Sequence, residues 1–121
     1  MPSLKTRDTE WPIEFKPPAL QRIADAGLTG IKIADLASGE FFSSDKAAQK
    51  RQVLPLMKAI LAPEVSLRKV GDEDLAVMVG SNIDRVMDCL RRGAIAALPD
   101  AEQGDAIAKY KRETRRQWSS R

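Results

Sequence analysis

The stretch VGDEDLAVMVGSNIDRVMDCLRR, residues 70–92, constrains this chain more than any other. Asp72, Glu73 and Asp74 open it, where carboxylates suit the positive end of a helix dipole. Asp72 stands where an N-cap is wanted. Gly80 takes the left-handed conformation that ends a helix, and Ser81 or Asn82 caps the next. Ile83, Val86, Met87 and Leu90 then fall on one side of that second helix. The expected product is a tight pair of helices over residues 72–79 and 82–97, turning at Gly80. Gly93, inside the second helix, marks a bend or a close crossing.

The rest of the chain repeats the pattern of apolar helical period broken by Gly and Pro. Pro18 suits a first helical turn, where its missing N–H costs nothing. Leu20, Ile23 and Ala24 form the expected inner face, and Gly27 the stop. A second helix spans residues 30–37 and closes at Gly39. Phe41 and Phe42 follow in a loop and cap the core. Ser43, Ser44 and Asp45 offer N-caps for the longest helix, residues 45–61. Its first half, KAAQKRQ, is solvated, and its second half, VLPLMKAILA, is the central core. Pro55 kinks this helix and Pro63 ends it. Residues 64–69 then connect, with Val65 and Leu67 pointing inward. Asp100 caps a last helix over residues 101–117, whose apolar face is thin: Ala106, Ile107 and Tyr110. Leu54, Met57, Ile60, Leu61, Leu75, Val86 and Leu90 are the predicted core.

The N-terminal end differs. Residues 1–10 are polar and form an arm. Trp11, Ile13 and Phe15 alternate with Pro12, Glu14 and Lys16, which fits an extended segment with one apolar face. The prolines keep it out of a central strand, so Trp11 and Phe15 are expected to pin an extended arm to the helices. The fold class is therefore all-α: a compact bundle of five or six helices with an extended N-terminal arm. Residues 1–17 form the arm, 18–108 the helical domain and 109–121 a basic helix end.

Composition excludes several kinds of chemistry. There is no histidine among the 121 residues, which removes His-dependent triads and the usual zinc sets. Cys89, the single cysteine, has no second thiol to pair with and sits on a helix as a small apolar residue; it points to a reducing compartment. Neither GxGxxG nor GxxxxGK[ST] occurs. The acids cluster at helix starts, where capping accounts for them. The chain is read as a non-enzyme with no catalytic residues, no metal ligands and no cofactor. No apolar run approaches the ~18 residues of a membrane span, and the polar MPSLKTRDTEW is not a secretion signal.

Charge is uneven. Residues 109–121 carry six cations against Glu113, a net +5, so the preceding 108 residues sum to −2 within a chain of +3. Lys109, Lys111, Arg112, Arg115 and Arg116, with Trp118 beside them, are the candidate partner-binding residues. Such an end meets phosphate or an acidic protein surface. Removing residues 111–121 is expected to leave stability nearly unchanged.

Two resemblances follow from these motifs. Leu75-Ala76-x-x-x-Gly80, then Val86 and Leu90, resembles the core spacing of bacterial helix-turn-helix repressors. That resemblance implies DNA binding, with Asn82, Arg85, Arg91 and Arg92 as contact residues. Groove-facing positions would be Asn82, Ile83, Asp84, Met87, Asp88 and Arg91. Ser81 departs from the family, which has an aliphatic residue after the glycine, and two aspartates face phosphates that need cations. The second resemblance covers more of the chain. The order of PPALQRI, VLPLMKAILA and PEVSLRKVGDEDLAVM resembles small phage tail assembly chaperones. These imply an all-helical, non-catalytic protein that binds other virion proteins, in the host cytoplasm or the virion. The expected partner is thus a protein, a virion component. Nucleic acid at the basic tail is the alternative, no membrane is involved, and a homo-oligomer is compatible with either.

Overall fold

The computed structural model describes the backbone of residues 3–5, 10–13, 15–28 and 31–119, and side chains over 10–13, 15–28 and 31–113. Within these residues the chain is helical, with helices α1 (Pro17–Asp25), α2 (Ile33–Ser38), α3 (Lys46–Arg68), α4 (Asp72–Ser81), α5 (Ile83–Ala97) and α6 (Asp100–Ser119). A short antiparallel pair, β1 (Ser3–Lys5) and β2 (Glu10–Pro12), precedes them, with Leu4 opposite Trp11. The arm thus begins with a paired strand, where sequence suggested only a polar extended arm. Pro12 lies at the end of the ladder, where its missing N–H does least harm.

The helices form two groups. α3 carries α1 and α4; α5 carries α2 and α6; the groups meet where α3 and α4 touch α5. One continuous core runs between them. Met57, Ile60, Leu61, Leu75, Val86 and Leu90 are buried there as expected, and Leu54 is half-buried against it. The expected arm anchors hold: Trp11, Ile13 and Phe15 are all buried in the same core, Ile13 completely. Gly93 proves to be the close crossing. A Cβ there would lie 3.1 Å from the Ile13 carbonyl oxygen and 3.2 Å from the Phe15 ring. The arm therefore packs directly onto the backbone of α5.

α3 departs most from expectation. It runs for 23 residues through both Pro55 and Pro63, so residues 64–68 are helical. Each proline removes one intrahelical bond and leaves the carbonyl four residues earlier without a donor. Pro55 and Arg51 are on the exposed side, where water satisfies that carbonyl. Pro63 frees Ala59 O on the buried side. Arg22 of α1 fills the gap: its Nε donates to Ala59 O at 2.7 Å and its Nη2 to Ile60 O at 3.0 Å. This use of Arg22 also corrects the face of α1. Ala19 and Ile23 are buried, while Leu20 and Ala24 are exposed. Because residues 65 and 67 are helical, they point apart: Val65 packs on the core and Leu67 is 78% exposed.

α3 ends at Lys69, in the left-handed region (φ 53°). Val70 N donates to Val65 O and Lys69 N to Ser66 O, the paired bonds of a Schellman stop. Gly71 then occupies the N-cap position of α4, so Asp72 is its first helical residue and caps nothing. Gly80 does not make a turn either. It is helical and lacks a positive φ. The junction of α4 and α5 is the single residue Asn82, whose backbone N and Nδ2 both return to Met78 O, at 3.2 and 2.8 Å.

The start of α3 is less solvated than its composition implies. Asp45 caps it, accepting from Ala48 N at 3.0 Å. Gln49 is buried, with Nε2 donating to Ser43 O at 2.6 Å. Gln52 accepts from Ser43 N and donates to Phe41 O. The two glutamines hold the 39–45 loop on the bundle. Phe41 and Phe42 meet edge to face at 5.4 Å and pack on the core, the capping role expected of them.

Candidate functional site

α6 carries the basic end and is docked unlike its neighbours. Through residue 113 it buries no side chain fully, whereas every other helix buries at least two. Its inner stripe is Gln103, Ala106, Tyr110 and Glu113, three to four residues apart. These are half-buried, and three of the four are polar. Gln103 Nε2 donates to Leu98 O at 2.9 Å and Ala96 O at 3.2 Å, capping the end of α5. The Tyr110 hydroxyl donates to the Asp88 carboxylate. Glu113 accepts from Arg91 Nη1 at 2.5 Å. Lys109 lies 3.9 Å from both Glu40 and Glu113.

Arg91 is the centre of this seam. Its side chain is only 11% exposed. Nε donates to Ala37 O at the end of α2 (3.0 Å), and the guanidinium stacks on Tyr110 at 5.3 Å from the ring centroid. The Gly39 turn lies against it; a Cβ there would be 3.3 Å from Nη1. Nη2 is buried without a hydrogen-bond partner. Beside it, Arg92 pairs with Asp88 at 3.0 Å and donates to Cys89 Sγ at 3.5 Å. Burial pushes the Tyr110 hydroxyl up to about 12, helped by its bond to Asp88 and that residue's charge. Burial likewise raises the Cys89 thiol, against the pull of Arg92. For Arg92, burial works against the charge, but Asp88, Cys89 and Tyr110 together outweigh it and the pKa is raised.

Of the candidate partner-binding residues, Lys109 lies in the seam, while Lys111 and Arg112 are exposed. The side chains of Arg115, Arg116 and Trp118 lie outside the described residues. Three of the four DNA candidates are engaged within the fold. Asn82 folds back onto Met78 O, Arg91 is held inside the seam, Arg92 pairs with Asp88, and Arg85 is exposed. Among the remaining groove positions, Ile83 is buried, Met87 packs on the core and Asp84 is exposed in a pair with Lys46.

Sequence reasoning missed Gln103 and the seam roles of Asp88 and Arg91. The available signal was the Gln103–Ala106–Tyr110–Glu113 stripe, which has helical spacing but few apolar members. An open cleft of about 220 Å³ lies between the arm, α1 and α3, lined by Pro12, Lys16, Ala19, Arg22, Pro63 and Glu64 among others. Its guanidinium is already committed to the α3 carbonyls. Among the described residues, no three His, Cys, Asp or Glu side chains gather as a metal site, and no helix is long and apolar enough to cross a membrane. No family model, curated protein or solved structure matches this chain.

Proposed function

We propose that this chain is a non-enzymatic interaction protein of the phage-assembly type, which binds another virion protein through the basic end of α6. The observation that carries this reading is the division of labour between α5 and α6. α5, which a DNA reader would lay in the major groove, carries α2 and α6 and also meets α3 and α4. Ile83, Val86, Cys89, Leu90, Ala94 and Ile95 are buried along it, and its outer side carries Asp84 and Asp88 among the arginines, a poor match to phosphate. α6 instead turns Lys111 and Arg112 outward while its other side is tied down. Cations on the outer side of a helix suit an acidic protein surface.

The test uses two assays on the full chain. A mobility-shift assay with nonspecific duplex at 50 and 200 mM salt is expected to show no complex. A photo-crosslinker at position 108, an exposed alanine one turn before Lys111 and Arg112 on α6, in cells producing phage tail proteins, is expected to capture one discrete virion component. Lys111→Glu together with Arg112→Glu should abolish that adduct. A salt-sensitive duplex complex, lost in the same double variant, would overturn the reading in favour of DNA binding.

A further inference from the structure

The geometry points to α6 being a releasable latch, held on the bundle by a polar seam and able to lift while the rest of the core stays folded. This stands independently of what the basic end binds. Local opening is governed by the apolar area that must be exposed and by the bonds that must break. By apolar area α6 is the weakest helix over its described side chains, and polar bonds are what hold it. Up to residue 113 its apolar contribution to the interface is half-buried Ala106 and Tyr110. It touches only α2 and α5 among the helices, and two residues outside the helices, Leu98 and Pro99, join it to α5.

Apart from Gln103, which bonds Ala96 O and Leu98 O beside the α5–α6 junction, the remaining contacts are electrostatic. Glu113 meets Arg91, Tyr110 meets Asp88, and Lys109 faces Glu40 and Glu113. Arg92 sits beside them on Asp88. When α6 lifts, the receiving groups remain in place. Arg91 stays hung from Ala37 O through Nε, and Asp88 keeps Arg92 at 3.0 Å. Nη1 of Arg91 is then free of Glu113, next to an Nη2 that is unpartnered even when the seam is closed. The latch thus covers an ordered guanidinium, and its own Glu113 occupies the carboxylate position on it.

Hydrogen exchange read by mass spectrometry tests this on the full chain. Peptides covering residues 101–113 are compared with peptides covering 86–97, in 0.05 and 1 M NaCl. At 1 M the screening length falls to about 3 Å. Exchange of the α6 peptides is expected to be at least about ten-fold faster than that of α5, and to rise several-fold more with salt while α5 holds. Glu113→Gln should speed the α6 peptides about ten-fold in low salt and flatten their salt response, with α5 unchanged. Tyr110→Phe, which breaks the Asp88 bond and keeps the ring, should act in the same direction. If α6 is as protected as α5 in both salts, α6 is part of the cooperative core and the latch is overturned. Opening that ignores both salt and the two substitutions also overturns it, because the seam would then not be what holds the helix.

Discussion

Two side chains settle local questions that residue type alone leaves open. A proline removes a bond that some other group must restore, and Arg22 restores the one at Pro63. Replacing Arg22 by Ala leaves Ala59 O in the interior without a donor, at a cost of about 2–3 kcal/mol. In a Pro63→Ala background, residue 63 regains its N–H and the helix supplies the bond itself. The cost of Arg22→Ala should then fall to about half, a coupling that denaturant melts of the four-variant cycle would read. Equal costs in both backgrounds would refute the carbonyl account. Tyr110, the single tyrosine, offers a second check. Its pKa of about 12 in the folded chain lies above the ordinary 10. The folded state therefore keeps a proton that the unfolded state releases. Its contribution to stability is fully present below pH 10 and is lost as pH rises towards 12. Cys89, also raised, adds to the same alkaline loss. Absorbance at 295 nm isolates the phenol: a midpoint near 12 is expected in buffer and near 10 in denaturant. These residue-scale features were not legible in the sequence. Nothing local to Pro63 shows that an arginine 41 positions earlier will reach it, so a chain stop is the natural reading there.

At the scale of elements, the sequence was informative wherever one face is apolar. α5 shows this best: Ile83, Val86 and Leu90 were predicted inward and are buried. Caps were legible to within a residue, as at Asp45 and Gly39. The α4–α5 junction was misplaced by two residues. Gly80 can adopt a left-handed turn but remains helical, and Asn82 makes the break by bonding back to Met78 O. α6 was the least legible helix, because its docking relies on polar groups that hydrophobic pattern discounts. That changes the expectation for truncation. Removing residues 111–121 also removes Glu113 and leaves Arg91, 11% exposed, with its Nη1 unpaired. We expect a loss of about 1–3 kcal/mol, which lowers the melting temperature by roughly 4–10 °C in a chain of this size. Removing only residues 114–121 keeps that pair and should change the midpoint little. Thermal melts of the two truncations, side by side, check the difference. Equal midpoints would mean the Arg91–Glu113 pair contributes nothing to folding.

Across the whole molecule, the arm belongs to the same core as the helices. Trp11, Ile13 and Phe15 were marked by their alternation, and all three are buried against helices that follow far later in the chain. What alternation did not reveal was where they dock: the arm meets α5 at Gly93, where no side chain separates the two backbones. Large side chains fully buried contribute about 1.5–3 kcal/mol each, so these three together supply roughly 5–9 kcal/mol as an upper figure. Domains of this size are stable by only about 5–15 kcal/mol in total. A chain beginning at residue 17 should therefore lose its cooperative melt, or survive only as a loosened helical state without fixed packing. A chain beginning at residue 10 loses β1 and its pairing with β2 but keeps all three anchors, and should still melt in one transition at a lower midpoint. Circular dichroism at 222 nm, with the near-ultraviolet signal of the aromatic side chains that both chains keep to report on fixed packing, separates these outcomes. A cooperative melt from the shorter chain, close in midpoint to that of the full protein, would show that the helices complete their core unaided and that the arm merely rests on it.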